Sequence, residues 1–179
     1  MAILIDQHTQ TIVQGITGTN AGVHTRLMLE YGTKIVGGVT PGKGGQKVHD
    51  VPVYDTVYDC LKEHPEATIS SIWVPARFAK DAIFEAIDAE IKTVIVITER
   101  IPMHDMLFIR KKAEEKSVMV IGGNTPGVIS PGKCLVGMLP KIAFQPGRIG
   151  TVARSGAITY YIANTLNLAG LGAVSYTHL

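Results

Sequence analysis

The sequence predicts an α/β fold organised around a parallel sheet. Three observations carry that prediction. Residues 11–22, TIVQGITGTNAG, pass from an apolar β-type run through glycines into a helical pattern. Lys34 to Val39 then supplies the second strand of a βαβ unit, whose crossover is right-handed and whose strands are parallel. Thr93 to Thr98 is a nearly continuous apolar run, as expected of a central parallel strand buried on both faces.

Taken in order, Ile3 to Ile5 is expected to open the sheet as a short strand, and Thr11 to Ile16 follows, rich in β-branched residues. Asn20 suits the N-cap of the first helix, Val23 and Leu27 share a face, and Gly32 stands where a C-terminal glycine belongs. Val51 to Tyr54 reads as a strand, Thr56 to Lys62 as a short helix and Ile69 to Val74 as a strand. In the segment Ala76 to Ala89, Phe78, Ala82, Ile83, Ala86 and Ile87 fall on one side, predicting a helix laid against the sheet. Pro102 opens another helix, with Met106, Ile109 and Ala113 on its buried face, before strand Val118 to Ile121. Ala143 to Gly150 reads as a linker into strand Ile149 to Ala153, and Ile158 to Leu168 as a helix. Residues 174–179 carry no pattern and are read as foreign to the fold.

Composition narrows the function. With 179 residues, 46% apolar and 18% charged, the chain can bury one substantial core. A formal charge of +2 and the lack of Lys/Arg blocks argue against nucleic acid. The N-terminal segment meets Asp6 too early for a signal peptide, and no apolar run approaches the ~20 residues of a membrane span. A cytoplasmic location follows as the expectation, or the mitochondrial matrix in a eukaryote. Cys60 and Cys134 lack metal-ligand spacing and are read as ordinary thiols, and none of the six histidines lies in a metal-binding motif, so no metal is expected.

The chemistry gathers at predicted strand ends, where open parallel sheets bind ligands. Gly15 and Gly18 allow close backbone approach, and the free N–H groups of Thr19, Asn20 and Ala21 favour an anion. Thr17 occupies the middle glycine position of G-x-G-x-x-G, so the dinucleotide fingerprint is incomplete. Lys43, in TPGKGG, brings a cation to the same edge, where Thr98 and Glu99 also emerge. Residues 122–127, GGNTPG, form a second glycine-rich loop there. Ser155 lacks a nucleophile-elbow frame and reads as a hydroxyl and backbone donor to an anion at a second helix N-terminus.

QGITG at 14–18, GGVTPGKGG at 37–45, ITE at 97–99, NTPGVISPG at 124–132 and ARSGAITY at 153–160 succeed one another as in the alpha subunits of succinate–CoA ligases. The chain resembles that family from about Ile3 to Leu168, and the malate–CoA ligase alpha subunits are close relatives. The resemblance implies a Rossmann-like CoA-binding domain over residues 1–145. It also implies that residues 146–179 are the truncated start of a flavodoxin-like second domain. It carries the CoA contacts onto Thr17, Gly18, Thr19, Asn20, Lys43, Ile97, Thr98 and Glu99. The tyrosine that meets a small dicarboxylate falls on Tyr160, and the phosphate-facing helix N-terminus on Ser155 and Gly156.

The implied reaction joins succinate to CoA through a phosphohistidine expected beyond Leu179, with ATP or GTP and Mg on a separate beta subunit. No catalytic residue is therefore assigned, and the chain is expected to be inactive alone. Where the family reads GPNCPG the chain has Gly123 and Thr125, where it reads SRSGT the chain has Ala153 and Ala157, and Tyr161 replaces a Glu. The threonine is more like malate–CoA ligases, so malate stays open as the acid. A non-catalytic CoA- or nucleotide-binding regulatory module is the alternative from another class.

Overall fold

The computed structural model describes residues 2–178. Its elements are β1 (Gln10–Gln14), α1 (Thr19–Tyr31), β2 (Lys34–Val39), β3 (Lys47–Val48), β4 (Val51–Tyr54), α2 (Val57–Glu63), β5 (Ile69–Ile72), α3 (Ala76–Asp88), β6 (Thr93–Val96), α4 (Met103–Lys116) and β7 (Met119–Gly122). They are followed by β8 (Gly127–Ser130), β9 (Cys134–Gly137), β10 (Pro146–Ala153), α5 (Gly156–Leu168) and β11 (Ala173–His178). The first seven strands form one sheet in the order β3-β4-β2-β1-β5-β6-β7, parallel throughout except for the β3–β4 hairpin. Chain order runs outward from β1 through β2 and β4, then returns to β1's other side at β5. The Rossmann-like switch point therefore lies between the ends of β1 and β5.

Strand alternation sends neighbouring residues into two cores. Val13, Ile69 and Ile95 enter one, together with Met28 of α1 and the β8–β9 residues Val128, Leu135 and Val136. Ile12, Ile72, Val94 and Val96 enter the other, against Val57 of α2, Ile83 and Ile87 of α3 and Ile109 of α4. Thus α1 and the hairpin cover one face, and α2 to α4 the other. Beneath α3, Glu85 Oε1 accepts a hydrogen bond from the Val57 N–H at 2.8 Å, which ties α2 to α3.

The structure corrects several sequence expectations. Residues 3–5 form no strand: Asp6 Oδ1 accepts from the N–H groups of His8 (2.9 Å) and Thr9 (3.1 Å), turning the chain, while Ile5 is buried. The first helix is capped by Gly18, not Asn20, and buries Ala21, Thr25 and Met28. Val23 and Leu27, 46% and 39% exposed, lie on its wet face. Phe78, 50% exposed, is likewise outside the core that Ala79, Ile83, Ala86 and Ile87 of its helix enter. The buried strand β6 is next to the sheet edge; β1 is the central one.

A larger difference concerns the C-terminal third. The hairpin β8–β9 was not anticipated, and Ala173–His178 forms a strand where no pattern was read; Leu179 lies outside the described residues. Together these strands build a second sheet in the order β10-β11-β8-β9, with β10 and β11 parallel and linked through α5. The hairpin is clasped to the first layer by buried hydrogen bonds. Thr33 Oγ1 donates to the Leu135 carbonyl at 2.6 Å and accepts from its N–H at 3.1 Å, and Ser130 Oγ donates to the Ile5 carbonyl at 2.6 Å.

Two outcomes follow. At Gly137 φ is +134°, and an added Cβ would lie 2.2 Å from the Pro126 carbonyl oxygen; Gly32 has φ +97° but nothing within 4 Å. Gly137→Ala is expected to lose about 3–4 kcal/mol in urea unfolding and Gly32→Ala only about 1 kcal/mol, because the first adds a backbone clash to the same left-handed strain. Equal losses would show that the hairpin relaxes. The second outcome concerns Glu85, whose carboxyl is pushed upward by burial, against the Val57 N–H bond that lowers it, with the Asp59 charge adding to the rise. The folded state then holds this proton more tightly than the unfolded chain, so its contribution is largest at acid pH and is lost as pH rises past the ordinary carboxylate range. Glu85→Gln should therefore gain on the wild type in unfolding midpoint as pH rises toward neutrality, and a gap constant with pH would refute the assignment.

Candidate functional site

At the carboxyl ends of the parallel strands the backbone is stitched into a continuous rim. Gly15 N–H donates to the Val39 carbonyl (2.7 Å), Trp73 N–H to Gln14 (3.0 Å), Ile97 N–H to Ile72 (3.1 Å) and Asn124 N–H to Thr98 (2.9 Å). Thr98 Oγ1 donates to the Val74 carbonyl at 2.7 Å, so its hydroxyl proton already holds the neighbouring strand end. Gly15 lies so close to this wall that a Cβ there would meet the Trp73 carbonyl carbon and the Val74 nitrogen at 3.2 Å.

Two hollows open from this rim and share Trp73, Val74 and Pro75 as a common wall. The smaller, about 740 Å³, lies between the ends of β1 and β2 and the start of α3. Gly15, Thr17 and Gly18 form one side, Thr40 and Pro41 a second, and Phe78, Asp81 and Glu85 the floor. The Thr17 and Thr40 hydroxyls are 3.2 Å apart, joining the two loops. The larger, about 970 Å³, lies between the ends of β5 and β6, the 124–126 loop and the start of α5. Asn20, Ile97, Thr98, Glu99, Ser155, Gly156 and Tyr160 all line it.

The site residues expected from sequence therefore divide. Thr17 and Gly18 belong to the smaller hollow, and the remainder meet in the larger one except for Thr19 and Lys43, which line neither. Thr19 is exposed in the first turn of α1. Lys43 stands exposed on the loop that carries Thr40 and Pro41, its N–H donating to the Thr40 carbonyl at 3.1 Å. Ile97 is only 7% exposed, so what it offers the hollow is chiefly backbone. Glu99 pairs loosely with Arg100 at 3.7 Å.

Sequence reasoning missed Trp73, the 740 Å³ floor residues Asp81 and Glu85, and Met138, which reaches the larger hollow from beyond the hairpin. Trp73 could have been suspected: it directly follows the apolar strand that flanks β1. Its indole Nε1–H donates to Ser71 Oγ at 2.8 Å, and its ring stacks on His24 with centroids 5.2 Å apart and planes 20° from parallel. Burial holds the His24 imidazole below its ordinary value, so it is the neutral ring that stacks at pH 7. Met138 carried no signal, because it comes near only through tertiary folding.

Tyr160 is placed by an aromatic group. Phe144 stacks on Tyr176 at 5.3 Å and meets Tyr160 edge-on at 6.3 Å, and burial pushes the Tyr160 phenol upward, leaving it a neutral donor. Ser155 is the N-cap of α5, with no side-chain cap bond, so the first-turn N–H groups stay uncapped at a helix end whose Ser155 and Gly156 line the hollow beside Arg154. Among the described residues, no group of three or more His, Cys, Asp or Glu is placed to hold a metal, and no helix is long and apolar enough to cross a membrane. Both cysteines are buried and free, their thiols pushed up to about 12 for Cys60 and about 11 for Cys134 by burial.

The chain is 52% identical over 172 residues to a succinate–CoA ligase [ADP-forming] alpha subunit of Archaeoglobus fulgidus and 47% identical over 172 residues to that of Staphylococcus aureus. Each alignment covers 96% of this chain but only 59% and 57% of the relatives, so the chain spans somewhat over half their length. In fold it is similar to an ATP citrate lyase of Methanothrix soehngenii, solved with citrate and coenzyme A, at a TM-score of 0.84 and 24% identity, covering 98% of this chain and 32% of that one. It is also similar to a dinucleotide-forming acetyl-coenzyme A synthetase of Korarchaeum cryptofilum, at a TM-score of 0.74 and 18% identity over 96% of this chain and 38% of that one. Residues 6–100, which hold β1 to β6 and the whole smaller hollow, match the CoA binding domain family, and the chain belongs to that family.

Proposed function

We propose that this chain is the CoA-binding portion of the alpha subunit of a succinate–CoA ligase. The observation that carries the reading is the pair of joined hollows at the switch point. One offers the Gly15–Gly18 turn that caps α1, the other Asn20 of the first turn of α1 and the N-terminus of α5 with Tyr160. A long ligand with phosphates at one end and a thiol at the other suits that layout. The phosphate end is assigned to Thr17, Gly18, Thr19, Asn20 and Lys43, and the arm to the rim at Ile97, Thr98 and Glu99. A small dicarboxylate is assigned to Tyr160, and a transferred phosphate to Ser155 and Gly156, where free N–H groups stabilise an anion.

In this reading the nucleotide, ATP or GTP with Mg, binds a beta subunit, and the histidine that carries phosphate belongs to the part of the relatives that this chain does not span. The boundary between the CoA-binding unit and the second domain is placed near residue 145. Malate stays as the second acid, on Thr125. That residue lines the larger hollow, but its Oγ1 accepts from the Gly127 N–H at 3.1 Å, so it shapes the loop as well as facing the site. A cytoplasmic location fits these assignments.

Calorimetric titration of the 179-residue chain with CoA tests the central claim. One-site binding of CoA, tighter than that of NAD, is the expected result. Folded protein that takes up no CoA at millimolar concentration would leave only a structural or regulatory module. The Lys43 assignment has its own measurement. Lys43→Ala should weaken CoA by about ten- to a hundred-fold, the worth of one charge-assisted contact of roughly 1.5–3 kcal/mol, while pantetheine binding is unmoved. An unchanged CoA affinity, or an equal loss for pantetheine, would take Lys43 out of the site.

A further inference from the structure

We propose that Trp73 holds the flexible arm of the bound ligand at the point where it crosses from the smaller hollow to the larger. The proposal rests on the CoA reading above, and adds to it a contact residue at the junction. Three independent features place it there. Trp73 directly follows β5 and Gly15 directly follows β1, so the two flank the topological switch point, where open α/β sheets receive their ligands. Together with Val74 and Pro75 it borders both hollows, so a ligand that occupies both passes this wall. The ring is also fixed before any ligand arrives: its N–H is committed to Ser71 Oγ at 2.8 Å, one face is covered by His24, and its backbone N–H is bonded to Gln14.

Those commitments decide what the ring can recognise. With its one polar atom satisfied inside the protein, whatever part of the indole borders the ligand path is apolar, polarisable surface. Phosphates and carboxylates gain nothing from such a surface, whereas methylene, methyl and amide groups of a pantetheine-like arm do. Because the ring is already held, ordering it on binding costs little, which is what a guide for a flexible chain requires. The chemical class selected is thus an uncharged, partly apolar linker between an adenosine-phosphate end and a reactive end.

Trp73 is the single tryptophan of the chain, so its emission reads this position alone. CoA and pantetheine are expected to change the emission of the wild-type protein, and adenosine 3′,5′-bisphosphate, which lacks the arm, to bind without changing it. By calorimetry, Trp73→Ala should weaken CoA by about ten-fold and the bisphosphate by less than about two-fold, with Trp73→Phe retaining most of the CoA affinity, as expected for one aromatic contact. Equal losses for CoA and the bisphosphate would make Trp73 a structural residue, and unaltered affinities or an emission that follows the bisphosphate as strongly as CoA would overturn the proposal. If Trp73→Ala fails to fold, the wild-type emission and Trp73→Phe decide. Failure of the wild type to bind CoA would overturn the CoA reading and this contact with it, whereas CoA heat with a silent tryptophan removes only the contact.

Discussion

Successive residues of β1, Ile12 and Val13, enter different apolar cores, and both are fully buried. The same division runs through β5 and β6, so neither face of the parallel sheet is left to a ligand. This two-sided burial constrains everything that follows in the structure. Backbone groups at the strand ends have no further strand residue to pair with, and they are satisfied by the rim bonds from Gly15 to Asn124 or left to face the hollows. Space is tight on both sides of the sheet. A Cβ at Gly37 would lie 2.4 Å from Cys60 Sγ on one face, and one at Gly38 would lie 2.3 Å from Ile16 Cγ2 on the other. The glycines of GGVTPGKGG therefore serve packing as well as the loop.

The larger hollow depends on a second constraint, the clasp between the hairpin and α1. Gly137 N–H meets Met28 Sδ at 3.2 Å, Gly132 N–H donates to the Tyr31 hydroxyl at 2.8 Å, and Thr33 ties Leu135 by both backbone atoms. With β8 fixed in this way, β11 pairs with it antiparallel, and α5 is carried on β11 and β10 to the open strand ends. Asn167 adds a brace, donating to the Ala143 carbonyl at 3.0 Å and accepting from the Gln145 N–H at 3.3 Å. The direction in which Ser155 and Tyr160 face is thus set by residues more than a hundred positions away in sequence, at Met28 to Thr33.

What the sequence made legible follows the range of the forces involved. Strand β2 and strand β4 fall where expected, because their limits are set locally by turns and glycines, and α3 ends within one residue of its expected limit. The switch-point turn at Gly15 to Gly18 was legible for the same reason. The N-cap was misplaced because Asn20 has a favourable side chain, whereas Gly18 caps without one. Val23, Leu27 and Phe78 follow a helical period but lie off the buried arc, which depends on how the helix is rotated against the sheet. The hairpin and β11 were missed because their short strands are specified by partners far apart in sequence, and nothing local distinguishes them from loop. Met138 as part of the larger hollow belongs to that same class of information.

The charge pattern around the hollows bears on how one ligand can occupy both. Two helix N-termini, of α1 at Gly18 and of α5 at Ser155, open on the same side of the sheet, and each presents unpaired N–H groups and the positive end of its dipole. Carboxylates line the hollows as well, Glu99 the larger and Asp81 and Glu85 the smaller. An anion is therefore favoured at the two helix ends and disfavoured beside these carboxylates. A ligand whose negative groups are confined to the helix ends and whose remaining length is uncharged meets less repulsion than a compact polyanion. The charges and the two joined hollows thus favour the same elongated shape, although the charges and the cavity walls are contributed by different residues.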